Sequence, residues 1–204
     1  MSAEIIANLT VDENGNIIVP IEAQSIRDWI QTKIDTMLIR IAGTVSESIV
    51  DGPGIRYTIF TQGCPHHCEG CHNPETHDFS GGRLADTDKI YNHIAENPLL
   101  KGVTFSGGEP FCQPAPLYDL AKRIKENTKL DIMSYTGFTF EQLVEKSKTD
   151  EDVKNLLSVV DILVDGKFIL AQRSLELHFK GSRNQRIIDC KKSLETGNVV
   201  IKEL

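Results

Sequence analysis

An α/β protein built on a parallel sheet is the architecture this sequence predicts, and three observations predict it. Strand and helix patterns alternate from Met37 onward, the apolar run at 159–164 is that of a fully buried strand, and the five cysteines, an odd number with three inside eight positions, have metal-site spacing and not that of a disulfide framework. The 204 residues make one full-sized domain with room for a small appendage. With 40% hydrophobic and 25% charged residues, the chain falls among globular proteins and outside the disordered class. Twenty-two Lys and Arg against 29 Asp and Glu leave a net charge of −7, which does not favour nucleic acid or anionic lipid as partners. No apolar run approaches the ~20 residues of a membrane span, and the first ten residues lack the features of a secretion signal, so a cytoplasmic protein is expected.

Residues 1–36 read as a small extension. Stretches at 5–11 and 17–21 rich in β-branched residues flank Glu13-Asn14-Gly15-Asn16, where Asn-Gly supplies the positive φ angles of a tight hairpin turn. Ile26, Trp29, Ile30 and Ile34 then recur at helical spacing over 25–34, with Ser25 as N-cap and Asp28 three residues on. A hairpin and one helix bury too little apolar surface to stand alone, so this piece is expected to pack on something larger.

The main domain, 37–204, opens with strands at 38–42 and 56–61. A helix is expected over 84–97, with Ile90, Tyr91 and Ile94 on one face behind a cap at Thr87, followed by a strand at 102–106. Residues 114–127 give the clearest helix, since Leu117, Leu120, Ala121 and Ile124 recur at i, i+3, i+4 and i+7. A strand at 130–135 follows. Thr139 with Gln142, and Thr149 with Asp152, have capping-box spacing for two short helices before the buried strand at 159–164. Such alternation implies right-handed crossovers, and parallel sheets gather ligands at the carboxyl ends of their strands.

At one such end stands Gln62-Gly63-Cys64-Pro65-His66-His67-Cys68-Glu69-Gly70-Cys71-His72-Asn73. This CxxxCxxC loop brings three thiolates within reach of one metal centre. A zinc site wants four protein ligands and would draw on His66, His67 or His72 for the fourth. An iron–sulfur cluster works with three cysteines if one iron is left open to a ligand. Spacing alone leaves both open. The three histidines are read as solvent-facing or supporting groups, and Cys112 and Cys190 as ordinary thiols.

The loop is similar to the cluster motif of the radical S-adenosylmethionine superfamily, and other segments agree in order along the chain. Val50-Asp51-Gly52-Pro53-Gly54-Ile55-Arg56 resembles the DGPGxR run of glycyl-radical-enzyme activases, and Thr104-Phe105-Ser106-Gly107-Gly108-Glu109-Pro110 looks like their GGE loop. Val164-Asp165-Gly166-Lys167-Phe168 and Lys180-Gly181-Ser182-Arg183-Asn184-Gln185 resemble the VDGKF and GSxNQ segments of the activases that serve anaerobic ribonucleoside-triphosphate reductase. One departure narrows the family: the superfamily usually has an aromatic residue before the third cysteine, whereas Gly70 stands here, as in the reductase activases.

The resemblance implies an incomplete (βα) barrel of the radical SAM type and an oxidoreductase that generates a glycyl radical on the anaerobic (class III) reductase. Cys64, Cys68 and Cys71 would ligate a [4Fe-4S] cluster that reductively cleaves S-adenosyl-L-methionine. Gly70, Cys71 and His72 are expected around the adenine, Gly107, Gly108 and Glu109 around the ammonium, and Thr136 near the ribose. Lys167 is expected at the carboxylate, with Asp165 orienting it or holding a monovalent cation. The implied partners are the large reductase subunit and a flavodoxin-like electron donor. The formate acetyltransferase (pyruvate formate-lyase) activating enzyme is the alternative within the family, and a non-catalytic zinc-binding module the alternative outside it. The basic residues Lys180, Arg183, Arg186, Lys191 and Lys192 read either as a solvated face or as a positive patch that steers an acidic partner.

Overall fold

The computed structural model describes Thr10–Val11, Ile17–Ile18 and residues 37–204. By its contacts the chain divides into Met1–Asp35 and Thr36–Leu204. In the first unit Thr10–Val11 (β1) pairs antiparallel with Ile17–Ile18 (β2), Thr10 opposite Ile18 and Val11 opposite Ile17. The helix expected over 25–34 lies outside the described residues.

The second unit is a mixed α/β structure around one seven-stranded open sheet. In chain order its elements are β3 (Leu38–Ser48), β4 (Arg56–Thr61), β5 (Arg83–Asp86), α1 (Thr87–Glu96), β6 (Gly102–Gly107), α2 (Pro114–Asn127), β7 (Asp131–Tyr135), α3 (Phe140–Lys146), α4 (Glu151–Val159), β8 (Ile162–Asp165), β9 (Arg186–Asp189) and α5 (Cys190–Thr196). The strand order is β5-β3-β4-β6-β7-β8-β9. Four central strands, β4, β6, β7 and β8, run parallel, while β3, β5 and β9 pair antiparallel at the margins. No described helix is long and apolar enough to cross a membrane.

Four local expectations change. The helix expected over 84–97 starts only at Thr87, because Arg83–Asp86 pairs with Leu38–Ile41 and the Asp86 carboxylate then caps α1 by accepting from the Asp88 N–H. The strand expected to end at 42 continues to Ser48 along β4. Asp150, not Thr149, caps α4, its carboxylate accepting from the Asp152 and Val153 N–H groups, and Val159 belongs to that helix instead of to the following strand.

Side-chain alternation gives the sheet two unlike faces. Tyr57 and Ile59 of β4, Val103 and Phe105 of β6, Ile132 of β7 and Leu163 of β8 join one buried cluster with Ile90 and Ile94 of α1, Leu117, Leu120, Ala121 and Ile124 of α2, and Leu156 and Leu157 of α4. The helices therefore cover this face. The opposite face carries Arg56, Thr58, Phe60, Thr104, Ser106 and Tyr135, with a small apolar group of Met133, Ile162 and Val164. Arg56 is fully buried near the amino ends of the parallel strands. Its guanidinium donates to Thr104 Oγ1 at 2.6 Å, the Val103 carbonyl at 2.9 Å and Asp131 Oδ1 at 2.6 Å, so a buried charge is paired and satisfied there. The carboxyl ends of the same strands remain open.

Candidate functional site

β4 ends at Thr61, and the cysteine loop follows within three residues. Two backbone hydrogen bonds tie its start to the segment after it, Gly63 N–H to the Thr76 carbonyl at 2.8 Å and Cys64 N–H to the His77 carbonyl at 3.2 Å. The thiols of Cys64, Cys68 and Cys71 are free and border one cavity of about 650 Å³ at the carboxyl ends of the parallel strands. Burial pushes the Cys64 thiol above its ordinary value, opposed by a hydrogen bond from the His66 backbone. Cys112 and Cys190 stand outside the cavity wall, Cys112 exposed and Cys190 buried, where burial pushes its thiol up to about 12.

Of the residues expected from the sequence, His72, Gly107, Gly108 and Thr136 join the three cysteines in the wall. The two glycines are required by the backbone packed against them. A Cβ on Gly107 would stand 2.7 Å from the Phe60 backbone, and one on Gly108 2.5 Å from the Gly63 carbonyl oxygen, so the end of β6 lies against the end of β4. Gly70, Glu109, Asp165 and Lys167 do not border the cavity. Gly70 adopts φ +70° and faces Leu170.

Glu109 is completely buried, and both carboxylate oxygens are engaged. Oε1 accepts from the Thr136 hydroxyl at 2.9 Å and the Phe111 N–H at 3.1 Å, while Oε2 accepts from the Gly137 N–H at 2.8 Å and lies 2.7 Å from His66 Nε2. In this arrangement the carboxylate expected at the ligand ammonium has protein donors on both oxygens. It also removes the Thr136 hydroxyl as a free donor.

Asp165 is likewise enclosed. Its carboxylate accepts from the Phe140 N–H at 2.7 Å and from two nitrogens of Arg186, whose guanidinium also reaches both oxygens of Glu141 at 3.0 and 2.8 Å. The cation beside Asp165, the residue expected to orient Lys167 or hold a monovalent cation, is the protein's own Arg186. Arg186 is thereby withdrawn from the basic patch, and Lys192 lies 3.6 Å from Asp189. Lys167 is exposed and outside the wall, whereas Lys180 is in it, its ammonium donating to the Gln185 carbonyl at 3.1 Å. Among the described residues Lys180 is the sole lysine or arginine lining the cavity, and Asp51 its sole carboxylate. Beside Lys180, the rings of His72 and Phe168 stand 5.0 Å apart, tilted by 47°.

No three His, Cys, Asp or Glu side chains among the described residues crowd round a single point as one ion requires. A tetrahedral zinc, with sulfur at about 2.3 Å, would need its ligands drawn together around one centre. A cluster instead takes each thiolate on a different iron, so three separated thiols on one cavity wall fit it.

An open α/β sheet with three free thiols over its first parallel strand defines a cluster-binding protein, and the sequence relatives agree with that class. Residues 50–188 match the model of a 4Fe-4S single cluster domain. The chain is 38% identical over 147 residues to the anaerobic ribonucleoside-triphosphate reductase-activating protein of Vibrio cholerae, covering 68% of this chain and 90% of that one, and 34% identical over 146 residues to the Haemophilus influenzae protein of the same name, with the same coverage. The pyruvate formate-lyase-activating enzyme of Clostridium pasteurianum is 37% identical over 114 residues, 52% of this chain and 48% of that enzyme. A solved structure, QueE from Escherichia coli, aligns with 53% of this chain and 57% of its own at a TM-score of 0.41 and 18% identity, too slight a likeness to carry an argument. The chain belongs to the 4Fe-4S single cluster domain family and, within it, to the anaerobic ribonucleoside-triphosphate reductase-activating proteins.

Proposed function

We propose that this chain activates the anaerobic class III ribonucleoside-triphosphate reductase by reductive cleavage of S-adenosylmethionine, leaving a glycyl radical on the reductase. The observation that carries the reading is the set of three free thiols on one cavity wall beside the glycine pair that ends β6. Cys64, Cys68 and Cys71 would hold the [4Fe-4S] cluster, which when bound supplies the electron that opens the sulfonium. The backbone at Gly107 and Gly108 is the polar surface offered to the ligand ammonium, since the Glu109 carboxylate is spent elsewhere. Lys180 would meet the carboxylate, and His72 with Phe168 would flank the adenine.

The glycine must reach the same cavity, whose walls include Val50. Ile49 and Val50 are each 73% exposed, an apolar lip suited to a partner segment. A flavodoxin-like donor in the cytoplasm completes the scheme. The reductase is preferred over pyruvate formate-lyase as substrate because the chain spans 90% of the reductase activase from Vibrio cholerae and only 48% of the lyase activase. Anaerobic incubation with the reductase, S-adenosylmethionine and reductant should give a glycyl radical by electron paramagnetic resonance, and Cys68→Ala should abolish it. A radical formed on pyruvate formate-lyase and not on the reductase would overturn the assignment.

A further inference from the structure

Between Cys64 and Cys71 the loop is largely turned to solvent. Pro65, His67, Glu69 and Gly70 are exposed, and His67 takes a left-handed backbone, φ +47°. His66, in the middle of the spacer between the first two cysteines, points the other way, with a side chain only 7% exposed. Among the described residues it is the one side chain of this loop that hydrogen-bonds to the rest of the protein. Its Nε2 meets Glu109 Oε2 at 2.7 Å, and its ring packs edge-on against Phe138 with centroids 4.6 Å apart.

The receiving side is rigid. Glu109 is held by Phe111, Thr136 and Gly137, donors from the turn after β6 and from the end of β7. Space for the ring exists because residue 137 is glycine: a Cβ there would stand 2.3 Å from His66 Cδ2. A buried carboxylate costs stability unless it is fully paired, so this arrangement commits four donors to one purpose.

From this geometry we infer that His66 and Glu109 form a latch that fastens the cysteine loop to the ends of β6 and β7, with His66 acting as a positioning residue for the Cys64 and Cys68 thiols. The inference rests on the cluster reading of the loop. It gives Glu109 a role distinct from ligand binding, and it makes the latch a determinant of the cluster's electronic surroundings. The backbone hydrogen bond that opposes the rise of the Cys64 thiol comes from His66 itself, the residue whose ring is anchored, so the latch would hold it in place. Hydrogen bonds to cluster sulfurs favour the reduced state, so their loss makes a cluster harder to reduce.

The test compares the anaerobically reconstituted full chain with His66→Ala and His66→Gln, the glutamine offering its amide N–H in place of Nε2. Iron and sulfide content, the midpoint potential of the cluster, the resonance line shape of its reduced form and the thermal midpoint of the cluster-free chain are measured for each. The alanine variant should take up the cluster, show a more negative potential and a broadened signal, and the glutamine variant should restore both toward the wild type. An alanine variant with wild-type potential and line shape would overturn the latch, as would a glutamine variant no different from alanine. If alanine lowers the thermal midpoint enough to unfold the chain, Glu109→Gln, which keeps the side-chain volume, is read by the same criteria. A wild-type chain that assembles no cluster would instead defeat the functional reading, before any variant is measured.

Discussion

Lys180 and Lys167 lie thirteen positions apart on the same connection between β8 and β9, yet only Lys180 borders the cavity. Lys180→Met is therefore expected to weaken binding of S-adenosylhomocysteine, which keeps the amino-acid carboxylate, by the worth of a charge-assisted hydrogen bond, about 1.5–3 kcal/mol or roughly tenfold or more. Lys167→Met should bind it as the wild type does, and 5′-methylthioadenosine, which has no carboxylate, should not distinguish the three proteins by calorimetry. A loss confined to Lys167→Met would return the role to that residue. At this scale the cysteines and the glycine pair were legible from sequence because each belongs to a short, contiguous signal. The surroundings of Glu109 were not, since its donors come from positions 66, 111, 136 and 137, nor was the Arg186 partner of Asp165, which lies on a strand that only the fold brings beside it.

Arg186 ties three elements together, since it stands on β9, Asp165 ends β8 and Glu141 is in the first turn of α3. Removing it by Arg186→Ala leaves the Asp165 carboxylate buried without its cation, and a loss near the lower end of about 3–5 kcal/mol is expected in urea denaturation at neutral pH. The Glu141 arm is weaker because that side chain is 59% exposed, so Glu141→Gln should cost under about 1 kcal/mol. The Arg186 hydrogen bond holds the Glu141 carboxyl at about 2, below its ordinary 4.5. A depressed value means that this arm stabilises fully above about 4.5 and fades as pH falls toward about 2. The stability gap between Glu141→Gln and wild type should accordingly close over that range, and a gap that widened would contradict the pairing. The parallel strands and α2 were readable because apolar periodicity alone specifies them. The four-residue strands β5 and β9 were not, because each is defined by its ladder to a partner strand instead of by its own pattern.

For the molecule as a whole, covering one sheet face with helices and leaving the carboxyl ends of the other open places the cysteine loop, the end of β6 and Lys180 around one cavity. Of the five basic residues at 180–192, Arg186 and Lys192 lie beside carboxylates and Lys180 lines the cavity, while Arg183 and Lys191 are exposed. All of this presupposes one cluster on three cysteines with an iron left for the ligand. The most direct test is iron, sulfide and zinc analysis of anaerobically purified protein, with spectra of the reduced cluster recorded before and after adding S-adenosylmethionine. The account predicts iron and sulfide in equal amounts, about four of each per chain, and a spectral change on adding the ligand. Stoichiometric zinc, or a four-iron cluster whose spectrum ignores the ligand, would contradict it.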